Sequence, residues 1–177
     1  MNEKVRVLIS EEEVEKRICE MGKEISKYYQ GESVHLVSVL KGGVFFTCEL
    51  AKRLTVPVSI DFMSVSSYGS GTKSSGVVKV IKDLDEHIEG RHVLVVEDIV
   101  DSGRTLSYLL ENLKSRKPKS LRLCTLLDKP ERRVTDVHVD YTGFEIPDEF
   151  VVGYGLDYKQ QYRNLPYVGV VELEIED

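Results

Sequence analysis

The pattern of apolar and polar positions predicts a helix near the start of the chain. Apolar residues recur there at the three- and four-residue spacing that places side chains on one face of a helix. These residues are Val14, Ile18, Met21 and Ile25. Ser10 and Glu13 come just before them in a capping-box arrangement, in which each side chain binds the backbone N–H of the other residue. We therefore expect the first helix to begin directly after Ser10.

Short apolar runs predict buried strands, and helical spacings separate several of them. The predicted strands cover residues 34–40, 77–82, 93–96, 121–127 and 168–173, and the alternation of Val56, Val58, Ile60 and Phe62 predicts one more. Helical spacing returns over residues 44–54, with Phe45, Leu50 and Leu54 available for packing, and again at Leu106, Leu109, Leu110 and Leu113. Alternating strands and helices favour an α/β fold with a central, mostly parallel sheet flanked by helices. Ligands of such folds bind beyond the carboxyl ends of the strands.

Length and charge narrow the class of protein. The 177 residues fit a single domain over 1–177, and 41% hydrophobic residues are enough to build a core. The net charge of −6 argues against a nucleic-acid partner. No apolar run approaches the roughly 18–20 residues that span a bilayer, so we expect no membrane partner.

The three cysteines also bear on the class of protein. Cys19, Cys48 and Cys124 are scattered and lack the spacing of metal ligands. This usage fits the reducing environment of the cytoplasm, and we expect all three to be small core residues.

Residues 93–106, which we call the signature segment, carry the most specific chemistry. A predicted strand leads to the adjacent carboxylates of Glu97 and Asp98, and a polar loop then opens a helix. Gly103 lets the loop turn sharply, while Ser102 and Thr105 offer hydroxyls beside the helix N-terminus, which attracts anions. Carboxylates beside such a cradle make sense if they bind sugar hydroxyls or Mg²⁺, so the predicted ligand is a phosphorylated sugar. The Walker pattern of P-loop NTPases is absent from the sequence.

The signature segment resembles the phosphoribosyl-pyrophosphate (PRPP) motif of type I phosphoribosyltransferases. The resemblance implies the fold of that family, with a small hood subregion and a flexible lid loop, and a homodimer or homotetramer. It implies that PRPP, with Mg²⁺, is bound by Glu97, Asp98, Asp101, Ser102, Gly103, Arg104, Thr105 and Leu106. In the same family the residue that matches Asp101 is the general base that takes the proton from N7 of the purine, and Glu97 and Asp98 act at the ribose or the metal.

Two further segments resemble loops of the same family. Residues 66–76 are rich in Ser and Gly, and a pair like Ser67-Tyr68 belongs to the lid that closes over the bound pyrophosphate. Leu40-Lys41-Gly42-Gly43 resembles the pyrophosphate loop, in which the peptide bond before the Lys is often cis. Lys41, Gly42 and Arg163 are thereby implied as pyrophosphate ligands. Without the resemblance, the two segments would be interpreted as a flexible hairpin tip and a simple turn.

The last third of the chain resembles the purine-binding face of hypoxanthine-guanine phosphoribosyltransferases. The resemblance implies that Lys129 donates to the purine O6, that Phe150 stacks on the base, and that the backbone of Val151 binds the edge of the base. Asp157 is implied as a ligand of a second Mg²⁺, and residues 129–177 with the N-terminal segment as the hood. A Lys can only donate hydrogen bonds, so a site built on Lys129 accepts 6-oxopurines and excludes adenine. Arg132 and Arg133 are expected to form a solvated face.

Three alternatives stay open on the sequence alone. Another phosphoribosyltransferase, acting on xanthine, orotate or adenine, would share the signature segment and differ after residue 125. A regulatory relative that binds RNA would need a basic surface, which the acidic pI of about 5.4 disfavours. A PRPP-making kinase would need an ATP site, and no motif for one is present in the sequence.

Overall fold

The computed structural model describes residues 2–67 and 78–174 of the chain. The strands are β1 (Asn2–Ile9), β2 (Val34–Val39), β3 (Val58–Ser67), β4 (Val78–Lys82), β5 (His92–Val100), β6 (Ser120–Asp128), β7 (Tyr141–Glu145), β8 (Val151–Val152) and β9 (Val168–Glu174). The helices are α1 (Glu11–Tyr28), α2 (Val44–Arg53) and α3 (Arg104–Ser115), and Pro130–Arg132 form a short 3-10 turn. The predicted lid lies mostly outside the described residues, since only Ser66 and Ser67 of it belong to β3.

A six-stranded sheet forms the centre of the molecule in the order β4-β3-β2-β5-β6-β7. Its strands pair in parallel except at the edge, where β3 and β4 are antiparallel. One apolar cluster unites α1 and α2 with one face of this sheet, and a second unites α3 with the other face. The predicted α/β fold with a mostly parallel sheet is therefore confirmed.

A smaller antiparallel sheet joins the two ends of the chain in the order β1-β9-β8. β1 pairs with β9 from Asn2 opposite Glu174 to Ile9 opposite Val168. The sequence analysis did not predict β1, because charged residues alternate with its few apolar ones and most of its described side chains are exposed. The strand is defined mainly by its backbone pairing with β9, and the local sequence carries little signal of that pairing.

The first helix forms as its pattern predicts. The Ser10 hydroxyl accepts a hydrogen bond from the Glu13 N–H at 3.2 Å, and the Glu13 carboxylate accepts one from the Ser10 N–H at 2.8 Å. The four apolar residues of the predicted face, Val14, Ile18, Met21 and Ile25, are all buried. Both the capping box and the buried face are confirmed.

Several packing expectations were wrong. Phe45 is 40% exposed and Phe46 is fully buried in its place, whereas Leu50 is buried as expected. In β3 the expected apolar face is partly open, with Ile60 42% exposed, and the side chains buried on the opposite face include that of Asp61. Periodicity alone does not determine which face of an edge-proximal strand a helix covers. Cys48 is exposed and thus is not a core residue.

Candidate functional site

Three loops meet at the carboxyl end of the main sheet. β2, β5 and β6 are adjacent and parallel, so the segments that follow them emerge side by side. The first is residues 40–43, which we call the lysine loop, the second is the loop within the signature segment, and the third begins at Lys129. The Lys129 N–H donates to the Val100 carbonyl at 3.0 Å, which ties the last two together. This is the edge at which ligands of parallel sheets bind.

The signature segment forms a small cavity at the start of α3. β5 continues through Val100, so Glu97 and Asp98 lie within the strand, and Gly103 has a φ of 82° at the N-cap of the helix. A side chain at Gly103 would be strained at this φ, and its Cβ would lie 2.7 Å from the Thr135 carbonyl oxygen. The cavity has a volume of about 150 Å³ and is lined by Glu97, Ile99, Val100, Asp101, Ser102, Gly103, Thr105 and Leu106. Arg104 begins α3 beside it.

The two adjacent carboxylates are in an electrostatically unfavourable environment. Burial, together with the neighbouring charge of Asp98, holds the pKa of Glu97 well above its ordinary value. Burial also raises the pKa of Asp98, although the Ile99 N–H donates to its carboxylate at 2.7 Å and opposes the shift. Arg163 also acts against the rise in the pKa of Asp98, so the positive charge of Arg163 reaches this carboxylate. The pair is suited to a cation or to hydroxyl donors.

Two glycines allow three segments to touch. A Cβ on Gly42 would overlap the Asp98 carboxylate, and a Cβ on Gly155 would overlap the Gly42 carbonyl oxygen. The lysine loop therefore packs between β5 and residues 153–163, which we call the C-terminal loop. The peptide bond between Leu40 and Lys41 is cis, as the resemblance implies.

The C-terminal loop brings predicted pyrophosphate ligands together. Arg163 forms an ion pair with Asp157 at 3.0 Å and donates to the Gly155 carbonyl oxygen at 2.6 Å. The Oε1 atom of Gln160 accepts hydrogen bonds from the Lys41 ammonium at 3.3 Å and from the Arg163 guanidinium at 3.2 Å. Sequence reasoning missed Gln160. Its only signal was its place between Asp157 and Arg163.

The backbone of the C-terminal loop is strained. Four non-glycine residues, Tyr154, Lys159, Gln160 and Tyr162, have φ values between 51° and 73°. Side chains crowd the backbone in this left-handed region, so such residues are uncommon outside sites that the surrounding structure holds in place. The concentration of strain in this loop makes it a candidate functional element.

A network of charges links the predicted base to the predicted purine ligand. The Asp101 carboxylate accepts a hydrogen bond from Arg132 at 3.1 Å, and Arg132 lies 3.6 Å from Asp148. Asp148 also lies 3.6 Å from the ammonium of Lys129, a residue that is only 7% exposed. Sequence analysis placed Arg132 on a solvated face. Although its side chain is half exposed, it is held between two carboxylates.

Arg133 was also expected to be solvated, and that expectation was wrong. It is largely buried, forms a short ion pair with Asp128, and donates to the Asp101 carbonyl oxygen at 3.0 Å. The carbonyl oxygen of Ser102 accepts from the N–H groups of the two residues that follow Arg133. The segment after the 3-10 turn thus supports the signature loop from behind. Such long-range partners cannot be identified from charge alone.

The predicted purine side of the site combines one exposed ring with buried backbone. Phe150 is 56% exposed, and its ring lies 5.6 Å from that of Tyr158 in an edge-to-face arrangement. Val151 is buried in β8, where it pairs with Val170. An aromatic ring with a free face beside fixed backbone groups can hold a planar ligand. Tyr68, the aromatic residue of the predicted lid, lies outside the described residues.

Comparison with known proteins gives consistent matches. Residues 8–159 match the phosphoribosyl transferase domain family. A hypoxanthine-guanine phosphoribosyltransferase of Bacillus subtilis is 54% identical over 167 residues, which are 94% of this chain and 93% of that protein. A solved hypoxanthine phosphoribosyltransferase of Staphylococcus aureus superposes with a TM-score of 0.91 at 50% identity, covering 94% of this chain and 91% of that one.

Some relatives are much longer than this chain. A bifunctional protein TilS/HprT of Listeria monocytogenes is 55% identical over 174 residues, which are 98% of this chain and 27% of that protein. The chain thus spans about a quarter of the length of this bifunctional relative. Within the described part of this chain, no helix is long and apolar enough to cross a membrane.

Proposed function

This chain belongs to the phosphoribosyl transferase domain family, and from that membership we propose that it is a purine salvage enzyme. It transfers the 5-phosphoribosyl group of PRPP to hypoxanthine or guanine, with xanthine as a further candidate, and releases pyrophosphate with IMP or GMP. The observation that carries this choice of substrate is the buried ammonium of Lys129 at the carboxyl end of β6. The near full-length relative with the same activity in its name supports it.

The signature segment is the proposed site for the ribose 5-phosphate part of PRPP. Its cavity at the N-terminus of α3 offers backbone N–H groups and the hydroxyls of Ser102 and Thr105 to a phosphate. The adjacent carboxylates of Glu97 and Asp98 can accept hydrogen bonds from the ribose hydroxyls. Gly103 lets this loop pack against the segment behind it, because a Cβ at this position would lie 2.7 Å from the Thr135 carbonyl oxygen.

Mg²⁺ is the proposed cofactor, and the donor set fits it. Among the described residues, no three His, Cys, Asp or Glu side chains converge into a metal cage. Mg²⁺ is commonly held by one or two carboxylates together with substrate phosphates, which suits Glu97 and Asp98 on one side and Asp157 on the other. When bound, Mg²⁺ would neutralise the charge of the leaving pyrophosphate. The charge of the Glu97–Asp98 pair is offset only in part by Arg163, so the pair is suited to this role.

Lys41 and Arg163 are the proposed pyrophosphate ligands. Both side chains donate to one oxygen of Gln160, so their positive charges already converge on a single point. Gly42 allows the lysine loop to approach Asp98 closely, which brings the pyrophosphate side of the site next to the ribose side. Departure of pyrophosphate from the C1 carbon of the ribose is thereby assisted by two fixed cations.

Purine selection rests on Lys129, Phe150 and Val151. The donor-only ammonium of Lys129 matches the O6 acceptor of a 6-oxopurine, whereas adenine would present an amino donor. The exposed ring of Phe150 supplies a stacking face, and the backbone of Val151 can bind the edge of the base. A site built around such a hydrogen bond can reject the wrong base by a factor of roughly 10⁴–10⁵.

Asp101 is the proposed general base for the proton at N7 of the purine. A chain of contacts connects its carboxylate to Lys129, the proposed purine ligand. Arg132 contacts both Asp101 and Asp148, and Asp148 contacts Lys129. Proton removal is only one contribution, beside positioning of the reactants and charge stabilisation of the oxocarbenium-like ribose.

The chain is proposed to act as one domain that includes a hood and a lid. The small sheet of β1, β9 and β8 is the proposed hood, because it carries Val151 and leads into the C-terminal loop. Residues 66–76 are the proposed lid, which would keep water from hydrolysing the activated sugar. A cytoplasmic location is proposed from the three free cysteines, one of which is exposed.

A homodimer or homotetramer is the proposed assembly. Phe45 on α2 and Ile60 on β3 are 40% and 42% exposed, and they are large apolar residues that a second copy could cover. Light scattering of the purified protein should give at least twice the monomer mass, and Ile60→Lys should shift it towards the monomer. A monomeric wild type would contradict the assembly.

The activity is tested with purified protein, PRPP and Mg²⁺. With hypoxanthine as acceptor, IMP and pyrophosphate should appear in equal amounts, and chelation of Mg²⁺ should stop the reaction. A protein that binds PRPP but forms no nucleotide with hypoxanthine, guanine or xanthine would contradict the proposal and favour a regulatory role.

A further inference from the structure

Gln160 stands where the two proposed pyrophosphate cations converge. Its Oε1 atom accepts from the Lys41 ammonium at 3.3 Å and from the Arg163 guanidinium at 3.2 Å. A carbonyl oxygen carries only a partial negative charge, and two full cations share it here. An oxygen between Lys and Arg side chains is the environment that a phosphate oxygen would take.

The backbone of Gln160 is held so that its side chain lies at this point. Lys159 and Gln160 have φ values of 51° and 65°, and the backbone groups of Tyr158 and Gln161 bind each other on both sides of them. This is the geometry of a type I′ turn, which normally takes Asn and Gly because both central residues need positive φ. Two long side chains are unfavourable in such a turn, so something other than turn preference accounts for Gln160.

A second anchor fixes the turn to the site. The Gln160 N–H donates to the Asp157 carboxylate at 2.9 Å, and the same carboxylate pairs with Arg163 at 3.0 Å. The side chain of Gln160 is exposed, so water could satisfy it equally well elsewhere. It is instead found on two cations, one on the lysine loop and one three residues further along the C-terminal loop.

We propose that Gln160 is a neutral placeholder for a pyrophosphate oxygen, which occupies the point between Lys41 and Arg163 in the free enzyme and yields to the substrate. The proposal rests on the function proposed above. Neutrality is central to it, because a neutral oxygen is easily displaced by the more strongly held phosphate oxygens, whereas a carboxylate would compete with them.

Three variants separate this role from its alternatives. Gln160→Glu puts a full charge between the two cations and should weaken binding of magnesium pyrophosphate about tenfold, since charged hydrogen bonds are roughly twice as strong as neutral ones. Gln160→Gly removes the oxygen while suiting the turn, and should leave that binding within about twofold of the wild type. Gln161→Glu is the matched control, because it adds the same charge one residue away on an exposed side chain.

The measurement is calorimetric titration of each protein with magnesium pyrophosphate and, separately, with IMP, which lacks the pyrophosphate. If Gln160 is a placeholder, Gln160→Glu should lower the affinity for magnesium pyrophosphate at least fivefold more than either other variant does. The affinity for IMP should be unchanged in all three variants. The KM for PRPP should rise in Gln160→Glu with kcat nearly constant.

Other results would overturn the proposal. Gln160 is not a placeholder if Gln160→Glu lowers the affinity for magnesium pyrophosphate by less than this fivefold margin. The same conclusion follows if Gln160→Glu lowers the affinity for IMP to the same degree. If Gln160→Gly loses as much affinity as Gln160→Glu, the side chain holds the substrate and does not yield to it. A wild type that binds neither IMP nor pyrophosphate would overturn the proposed function and this role together, whereas failure of the variants alone leaves the function intact.

Discussion

The two ends of the main sheet differ both in the size of their cavities and in the chemistry of the residues that line them. At the amino ends of β2 and β3 lies an open cavity of about 750 Å³, whereas the cavity in the signature segment measures about 150 Å³. The larger one is lined by Lys23, Lys27 and Arg53, and two of these stand in the last turns of α1 and α2. Cations there complement the negative ends of the helix dipoles, which accounts for them without a ligand. Volume alone would therefore select the wrong end.

Asp61 and the Glu97–Asp98 pair differ in how well their surroundings compensate the charge of the carboxylate. Burial acts to raise the pKa of Asp61 in β3, but backbone N–H groups of Glu86, Phe62 and Asp85 outweigh it and lower that pKa. At the carboxyl end, burial and mutual repulsion leave Glu97 and Asp98 with raised pKa values. The Asp61 carboxylate has its hydrogen bonds satisfied, whereas the Glu97–Asp98 pair keeps an unfavourable charge that the proposed ligand would relieve.

Replacing the proposed base should produce the largest effect on kcat. Asp101→Asn keeps the shape of the side chain and removes the proton acceptor, so kcat with hypoxanthine should fall about 100-fold, within the range for general bases. The affinity for PRPP should change little. Steady-state kinetics checks this, and a kcat within threefold of the wild type would exclude Asp101 as the base.

Removing one charge of the carboxylate pair should lower the activity and raise the free energy of unfolding. A carboxyl group with a raised folded-state pKa contributes stability below its unfolded-state pKa, and that stability is lost as the pH rises through the folded-state value. At pH 7 the charge on Glu97 is therefore a cost, and Glu97→Gln should raise the free energy of unfolding by about 1 kcal/mol. Urea unfolding of the ligand-free protein measures it, and the gain should disappear near pH 4. A destabilised Glu97→Gln protein would contradict the account.

The amino end should govern stability at low pH. Burial and the charge of Arg91 lower the pKa of His35, although Asp61 acts in the opposite direction. Because the unfolded chain takes up this proton near its ordinary pKa of about 6.5 and the folded one resists it, stability should fall as the pH drops from 7 to 5. His35→Gln should reduce that fall in urea titrations. His138→Gln is the control, because the His138 side chain is 85% exposed. If the free energy of unfolding of His35→Gln falls between pH 7 and pH 5 as steeply as that of the wild type, other groups cause the fall.

Removing cations from the larger cavity should have the smallest effect. Lys27→Ala and Arg53→Ala should leave kcat and the KM for PRPP within about twofold of the wild type, since surface changes away from a site rarely matter. Steady-state kinetics with hypoxanthine checks both variants. A tenfold change in either constant would show that the amino end takes part in the reaction and would erase the contrast between the ends.

The sequence predicted the parts of the site that are contiguous in the chain. The signature segment contains its strand, carboxylates, glycine and helix start within fourteen successive positions, so local chemistry was enough to interpret it. The contact of Gln160 with Lys41 joins residues 119 positions apart, and the support of Asp101 by Arg133 joins residues 32 apart. Pairings of this kind depend on how β2, β5 and β6 are ordered in the sheet, which periodicity does not reveal.

The same reason explains the errors in packing. Asp61 is buried because the N–H groups of residues 85 and 86 reach it across a loop, whereas Ile60 on the other face is 42% exposed. A polar residue in a strand pattern normally indicates the solvent side. Tertiary hydrogen bonding reversed that expectation here.

The most direct test of the account is the base selectivity of the wild type and of Lys129→Met, measured by ultraviolet assay with PRPP and Mg²⁺. Hypoxanthine, guanine, xanthine and adenine are offered separately. The account predicts that the wild type uses 6-oxopurines and not adenine, and that Lys129→Met loses about 100-fold or more in kcat/KM for hypoxanthine, as expected when a buried recognition hydrogen bond is removed. Turnover of adenine by the wild type, or equal kcat/KM for hypoxanthine in both proteins, would contradict it.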